Sequence, residues 1–145
     1  MLYNFYRGEG MKIEEKYVIK KRFLIAYFVL LFIGLLLTIG RWLSVLMPAF
    51  VLVNAEIHSH ISNLSLSMIF YLAIGHTWLL SGIKFRWITL LGLMILLANL
   101  ICETLLGFIN TPDIIDAVYG VIGTSIGFVY LFITYKFGLV DLKEK

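Results

Sequence analysis

The sequence predicts an all-α membrane protein, a bundle of four transmembrane helices with both termini in the cytoplasm. Three observations carry this prediction: the charged fraction is low, four apolar runs are long enough to cross a bilayer, and the basic residues cluster between alternate runs. Charged residues make up 14% of the chain and hydrophobic residues 61%, and the mean hydropathy is +0.94. Soluble domains have about 25% charged residues. The 145 residues therefore form a single transmembrane domain with no room for a separate soluble one.

The four apolar runs each approach the 20 or so residues that a bilayer crossing needs. They cover approximately residues 23–40, 61–80, 87–106 and 112–135. A basic tail, residues 1–22, precedes the first run. A secretory signal peptide is the alternative for the first run, but the run is longer than the usual core of a signal peptide.

The twelve Lys and Arg residues predict the orientation. Six precede the first span, two lie in the second connection and three follow the fourth span, whereas the first connection has only Arg41 and the third has none. Basic residues concentrate on the cytoplasmic side of membrane proteins. The ends of spans one and three and the starts of spans two and four are therefore expected to face outwards. The connection 41–60 contains Pro48 and an apolar run too short to cross, so we expect an outer interfacial or re-entrant segment there.

Polar residues gather at these outer ends and define the candidate ligand-binding site. His60, Asn63 and Ser67 follow helical spacing at the start of span two, and Asn99 and Glu103 are four residues apart near the end of span three. The sequence Thr111-Pro112-Asp113 is typical of a helix start, with Thr111 as the N-cap and Pro112 at the first helical position. Acids inside a membrane are expensive, so Glu103 and Asp116 are the candidate catalytic residues if the protein is an enzyme.

A stripe of small residues continues from the acids along span four. Asp113, Asp116, Gly120, Gly123 and Gly127 follow steps of 3, 4, 3 and 4 and share one helix face. The glycines are interpreted either as a surface for close helix packing or as a groove that admits a lipid chain or headgroup. Asp113 has the simpler alternative role of a helix-capping acid.

Neither a metal nor a cofactor is expected from the sequence. Glu56, His58 and His60 alternate, and alternate residues converge on one metal only in an extended segment. His76 lies deep in span two and is interpreted as a packed histidine. No nucleotide-binding, nucleophile-elbow or zinc-protease motif occurs, and the basic residues flank spans, so nucleic acid is not an expected partner.

The stretch from Glu103 to Gly127 resembles the VanZ-like family of small bacterial membrane proteins. That family has a glutamate late in one span, then a polar turn, an aspartate and two glycines four apart, which correspond here to Glu103, Asp116, Gly123 and Gly127. His60 matches a histidine that opens the second span. The chain departs from the pattern at Gly107, where the family usually has a glutamine, at Gly120, where an asparagine is common, and in its polar turn, which lacks an arginine.

The resemblance implies a cell-envelope protein of the bacterial cytoplasmic membrane, associated in some members with resistance to glycopeptide antibiotics. Three functions are consistent with the residues. The first is binding of an amphiphile at the outer leaflet, such as a lipid-linked wall precursor or a lipoglycopeptide, with membrane lipids as neighbours and an oligomer allowed. The second is an enzyme that uses Glu103 and Asp116 on a lipid headgroup. The third is a proton or cation transport component that uses Glu103.

Overall fold

A computed structural model of the chain describes residues 16–47, 49–51, 54–104 and 113–142. It confirms a helical architecture with four helices that are long and apolar enough to cross a membrane, as expected of a multi-pass membrane protein. The elements, in chain order, are β1 (Tyr17–Ile19), α1 (Lys21–Leu46), α2 (Ala55–Leu80), α3 (Phe85–Thr104), α4 (Ile114–Phe137) and β2 (Leu139–Asp141).

The helices extend furthest beyond the predicted span limits at the end of α1 and at the start of α2. Residues 41–46 continue α1, and residues 55–60 already belong to α2, although both were assigned to the irregular outer connection. The reason for the early start of α2 is a cap, since the Asn54 side chain accepts a hydrogen bond from the Ile57 amide at 2.8 Å. The expected interfacial or re-entrant segment is thereby shortened to 47–54, of which 48, 52 and 53 lie outside the described residues.

The two central helices are α2 and α4, which pack more extensively against each other than any other pair. In their most apolar stretches 44% of residues are buried, against 11% in α1 and α3. Helix α1 packs on α2, and α3 packs on both central helices. The fully buried core consists mainly of Met68, Tyr71, Leu72, Leu79, Ile88 and Leu131. The outer helices consequently expose long apolar faces, as helices in contact with lipid do.

Glycine permits the close approach of α2 and α4. A Cβ built on Gly123 would lie 2.0 Å from the Leu64 carbonyl oxygen and 2.8 Å from its carbon. These are backbone atoms, so no side-chain rotation relieves the overlap. Gly75 of α2 faces a side chain of α4 in turn, because a Cβ built on it would lie 2.5 Å from a methyl group of Leu131. Small residues at such positions let helix backbones meet within a membrane.

Side-chain hydrogen bonds join the helices at several depths. Thr38 of α1 donates to Ser65 of α2 at 2.9 Å, and the Tyr71 hydroxyl donates to the Ile88 carbonyl of α3 at 2.9 Å. Near the start of α1, the Tyr130 hydroxyl of α4 donates to the Phe23 carbonyl at 3.1 Å. Each such bond contributes about 0.6–2 kcal/mol inside a membrane.

One end of the bundle, called the sheet end below, carries a two-stranded antiparallel ladder. Strands β1 and β2 pair in the register Tyr17↔Asp141, Val18↔Val140 and Ile19↔Leu139. The Lys16 amide also donates to the Leu80 carbonyl at the end of α2 at 2.8 Å. The opposite end, called the far end, holds the end of α1, the start of α2, the end of α3 and the start of α4. Both ends of the described chain therefore lie at the sheet end.

Replacing Gly123 by alanine is expected to lower the free energy of unfolding by about 1–3 kcal/mol, because the added methyl group overlaps the Leu64 backbone. Reversible unfolding of the purified protein in detergent micelles, followed by circular dichroism, measures the change. Val121→Ala serves as the control, since Val121 is 44% exposed on the same helix. Equal stabilities of the two variants would contradict the close contact.

Candidate functional site

Three titratable side chains meet at the far end, where α2 and α4 begin. The Nδ1 atom of His60 lies 2.8 Å from Oδ1 of Asp116 and 3.6 Å from Oδ2 of Asp113. The side chain of His60 is 12% exposed, that of Asp116 19% and that of Asp113 36%. We call these three residues the His–Asp cluster. It is mostly buried but open to solvent on the Asp113 side.

The helix-capping geometry of α4 orients the two aspartates. Asp113, rather than Thr111, is the N-cap, and its Oδ1 accepts a hydrogen bond from the Ile115 amide at 2.9 Å. The helix begins at Ile114, immediately after Asp113 and two residues after the predicted start at Pro112. Residues 111 and 112 lie outside the described part of the chain. The correction has a simple cause: a carboxylate caps a helix as well as a hydroxyl does. Asp116 then falls in the first turn, where the helix dipole favours a negative charge.

An aromatic ring that the sequence analysis did not single out packs against the cluster. The ring centroids of His60 and Tyr119 are 5.5 Å apart, with the planes tilted by 39°. Tyr119 lies three residues after Asp116, so helical periodicity from the acid would have pointed to it. The ring of Tyr119 therefore forms part of the surroundings of the imidazole.

A second polar contact lies deeper in the bundle and connects three helices. Asn99 of α3 donates from Nδ2 to the hydroxyl of Ser67 on α2 at 2.9 Å. Its amide passes over Gly120 of α4, where a Cβ would lie 2.6 Å from Nδ2. Ser67 is buried and Asn63, one turn nearer the cluster, is half-buried. The predicted polar face of span two therefore points into the bundle.

The three glycines of the stripe face protein. Gly120 faces Asn99, Gly123 faces the Leu64 backbone, and a Cβ on Gly127 would lie 3.1 Å from the Tyr71 ring. A lipid chain has no room there. The structure thus favours the helix-packing interpretation over a ligand groove at these positions.

Glu103 is buried near the end of α3, with 6% of its surface exposed. It is not a member of the group whose ligand atoms all approach within 4.8 Å, which within the described residues comprises His60, Asp113 and Asp116.

Glu56, His58 and His60 belong to helix α2 rather than to an extended segment. Glu56 and His60 are four residues apart and share one helix face, whereas His58 points away from that face. One ligand atom each from His60, Asp113 and Asp116 does converge, within 4.8 Å of one another. This group of residues is invisible as a sequence motif because His60 and Asp116 are 56 residues apart.

An apolar groove opens between α3 and α4, on the sheet-end side of Asn99. Its volume is about 300 Å³. Its lining includes Gly92, Leu93 and Leu96 from α3 and Thr124, Phe128 and Val129 from α4. Leu96 precedes Asn99 by about one helical turn, so the groove begins just beneath the polar contact of Asn99 with Ser67.

The predicted packed histidine, His76, is distant from the cluster and near the sheet end of α2. It is buried, and its ring stacks on Tyr27 of α1 with centroids 3.8 Å apart and planes at 15°. The stacking joins α1 to α2.

The fold and the site together define a multi-pass membrane protein with four candidate spans and a His–Asp cluster at one end of the bundle. No family model, curated protein or solved structure matches the chain.

The His60–Asp116 contact is expected to stabilise the packing of α2 on α4 by roughly 1–3 kcal/mol, as hydrogen bonds to charged groups do. A double-mutant cycle with His60→Ala, Asp116→Ala and the pair tests this by unfolding in micelles. The matched cycle uses Ser59→Ala with Asp116→Ala, because Ser59 is an exposed neighbour whose hydroxyl bonds its own helix at Glu56. Additive losses in the first cycle would show that the contact contributes nothing.

Proposed function

We propose that the protein binds an amphiphile, with the headgroup at the His–Asp cluster and an acyl chain along the groove between α3 and α4. The observation that carries the proposal is the convergence of His60, Asp113 and Asp116 at a partly open end of an otherwise apolar bundle. Ionisable groups at membrane depth are costly unless they act on a ligand or pair with one another. The open Asp113 side provides the path for a headgroup.

The dimensions suit a lipid. From Asp116 to the groove residues Thr124 and Val129 the chain advances 8 and 13 residues along α4, which corresponds to about 12 and 20 Å. This is the length of an extended fatty acyl chain. A groove of about 300 Å³ holds part of such a chain, and its lining is almost entirely apolar.

The charge distribution supports a location of the cluster in the outer leaflet. Among the described residues, Arg41 is the one basic side chain outside the sheet end, where the others lie, namely Lys16, Lys20, Lys21, Arg22, Lys84, Arg86 and Lys136. By the positive-inside rule we place the sheet end in the cytoplasm, with both termini there. The end of α1 and the start of α2 then lie at the outer interface.

The resemblance to the VanZ-like family supplies the proposed identity of the amphiphile. A lipid-linked wall precursor or a lipoglycopeptide in a bacterial cytoplasmic membrane would carry its polar group in the outer leaflet, level with the cluster. Binding there would change the exposure of the precursor to glycopeptide antibiotics. This is the route by which we propose that the protein contributes to resistance.

Filling the groove is expected to weaken lipid binding about tenfold. In Val129→Trp the indole would displace roughly 60 Å² of apolar contact, equivalent to about 1.5 kcal/mol. Native mass spectrometry of the protein titrated with a diacyl lipid gives the affinity. Val121→Trp is the matched control, because Val121 is also exposed on α4 and does not line the groove. Equal affinities would reject the groove as the acyl site.

Neutralising the cluster is expected to abolish function in cells. In a bacterial strain lacking the gene, Asp116→Asn at wild-type expression should fail to restore glycopeptide tolerance. Glu103→Gln, tested in the same strain, shows whether the buried acid of α3 is also required. Full complementation by both variants would exclude a carboxylate site. If the purified protein turned over a lipid precursor, the enzyme alternative would be favoured over binding. If liposomes showed a proton flux that is lost in Glu103→Gln, the transport alternative would be favoured.

A further inference from the structure

We propose that His60, Asp113 and Asp116 bind a divalent cation whose remaining coordination positions take phosphate oxygens of a lipid headgroup. The cation site stands on the geometry of the cluster. The phosphate part rests on the proposed function, because it assigns the headgroup chemistry of the amphiphile bound there.

The distances in the cluster are close to those between ligands of one ion. With metal–ligand bonds of about 2.1 Å, adjacent ligands are about 3.0 Å apart in an octahedron and about 3.4 Å apart in a tetrahedron. The separations from Nδ1 of His60 are 2.8 Å to Asp116 and 3.6 Å to Asp113. A small movement of the side chains brings the three atoms to ligand spacing. Binding then releases to solvent the Nδ1 proton that His60 shares with Asp116, because a nitrogen ligand must be unprotonated.

Each ligand is also held in place before a cation arrives. Asp113 uses Oδ1 to cap α4 and directs the other oxygen, Oδ2, at His60. The imidazole is mostly buried and packs against Tyr119. Since the ligands come from two helices joined by the Gly123 contact, little conformational freedom remains to be lost on binding.

The charge of the cluster explains why a cation is needed for a phosphate ligand. The cluster has two acids and only one imidazole, so its net charge does not favour a phosphate. Among the described residues, the ion pairs of the cluster are those of His60 with the two aspartates, and the guanidinium of Arg41 donates to the Ser44 hydroxyl at 3.0 Å instead. A divalent ion reverses the local charge. Three protein ligands leave at least one position for an oxygen of the headgroup.

The donor set selects the class of ion. One imidazole nitrogen with two carboxylate oxygens suits Mn²⁺ or Zn²⁺, whereas Mg²⁺ and Ca²⁺ prefer oxygen ligands alone. Mn²⁺ is the better probe, since it accepts a mixed shell that includes phosphate and is visible by electron paramagnetic resonance.

The first experiment titrates Mn²⁺ into the full chain in detergent after treatment with a chelator. Wild type should bind one ion, and Asp116→Asn, Asp113→Asn and His60→Gln should each weaken binding at least about tenfold. Asparagine also caps helices, so Asp113→Asn keeps the start of α4 and removes only the charge. Glu56→Gln is the control, because Glu56 is an exposed acid of α2 outside the cluster. Absence of a stoichiometric ion in wild type, or equal binding by all variants, would overturn the site and leave an ion pair between α2 and α4.

The second experiment tests the phosphate. Native mass spectrometry compares dioleoyl phosphatidic acid with dioleoylglycerol, which has the same chains and no phosphate, each with Mn²⁺ or with EDTA. The proposal is supported if the protein prefers phosphatidic acid only when Mn²⁺ is present and if Asp116→Asn loses this preference. If the lipid is the ligand, inorganic phosphate at equal concentration should not compete. Phosphatidic acid binding that is indifferent to Mn²⁺ overturns it. Failure of the proposed function would give a different result. The protein would bind Mn²⁺ normally, and Val129→Trp would not change the affinity for either lipid.

Discussion

The close contact between Gly123 and the Leu64 carbonyl is the constraint on which the other features of the bundle depend. In hydrocarbon, apolar side chains gain little by leaving lipid for protein, so helices associate through packing and hydrogen bonds. The absence of a Cβ at Gly123 lets α4 approach α2 at backbone distance. That approach also brings the first turns of the two helices together, and so Asp116 reaches His60.

The polar residues form a graded sequence from the far end into the bundle. The charged His–Asp cluster lies where solvent reaches it, and the neutral contact of Asn99 with Ser67 lies deeper. Below these, the Tyr71 hydroxyl bonds the Ile88 carbonyl. This order matches the cost of burying each group, which is highest for charges and lower for neutral groups with partners. A ligand that enters from the far end meets charge first and apolar surface afterwards.

The sequence predicted the four spans and the polar faces well, because both follow from local composition and helical periodicity. His60 could be placed on an inward face of span two, but its pairing with Asp116 depends on which helices are neighbours, and that is set by glycine contacts between distant segments. The N-cap of α4 was assigned to Thr111, whereas it is Asp113, the capping acid of the simpler interpretation. The glycine stripe was interpreted either as a packing surface or as a groove. Its glycines face protein, and an apolar groove lies on the adjacent face of α4. Strands of three residues are too short to leave a periodic pattern, so the ladder went unpredicted.

The ladder between β1 and β2 gives the chain the topology of a closed ring. The residues before the first helix are held by those after the last, so β1 has no partner until the C-terminal end of α4 has left the ribosome. Helices α1 to α3 can enter the membrane one by one, but the ring closes only after α4 and β2 have been synthesised. Contacts between sequence-distant segments form slowly. Assembly of the sheet end is consequently a late event, and a chain truncated within α4 would lack it altogether.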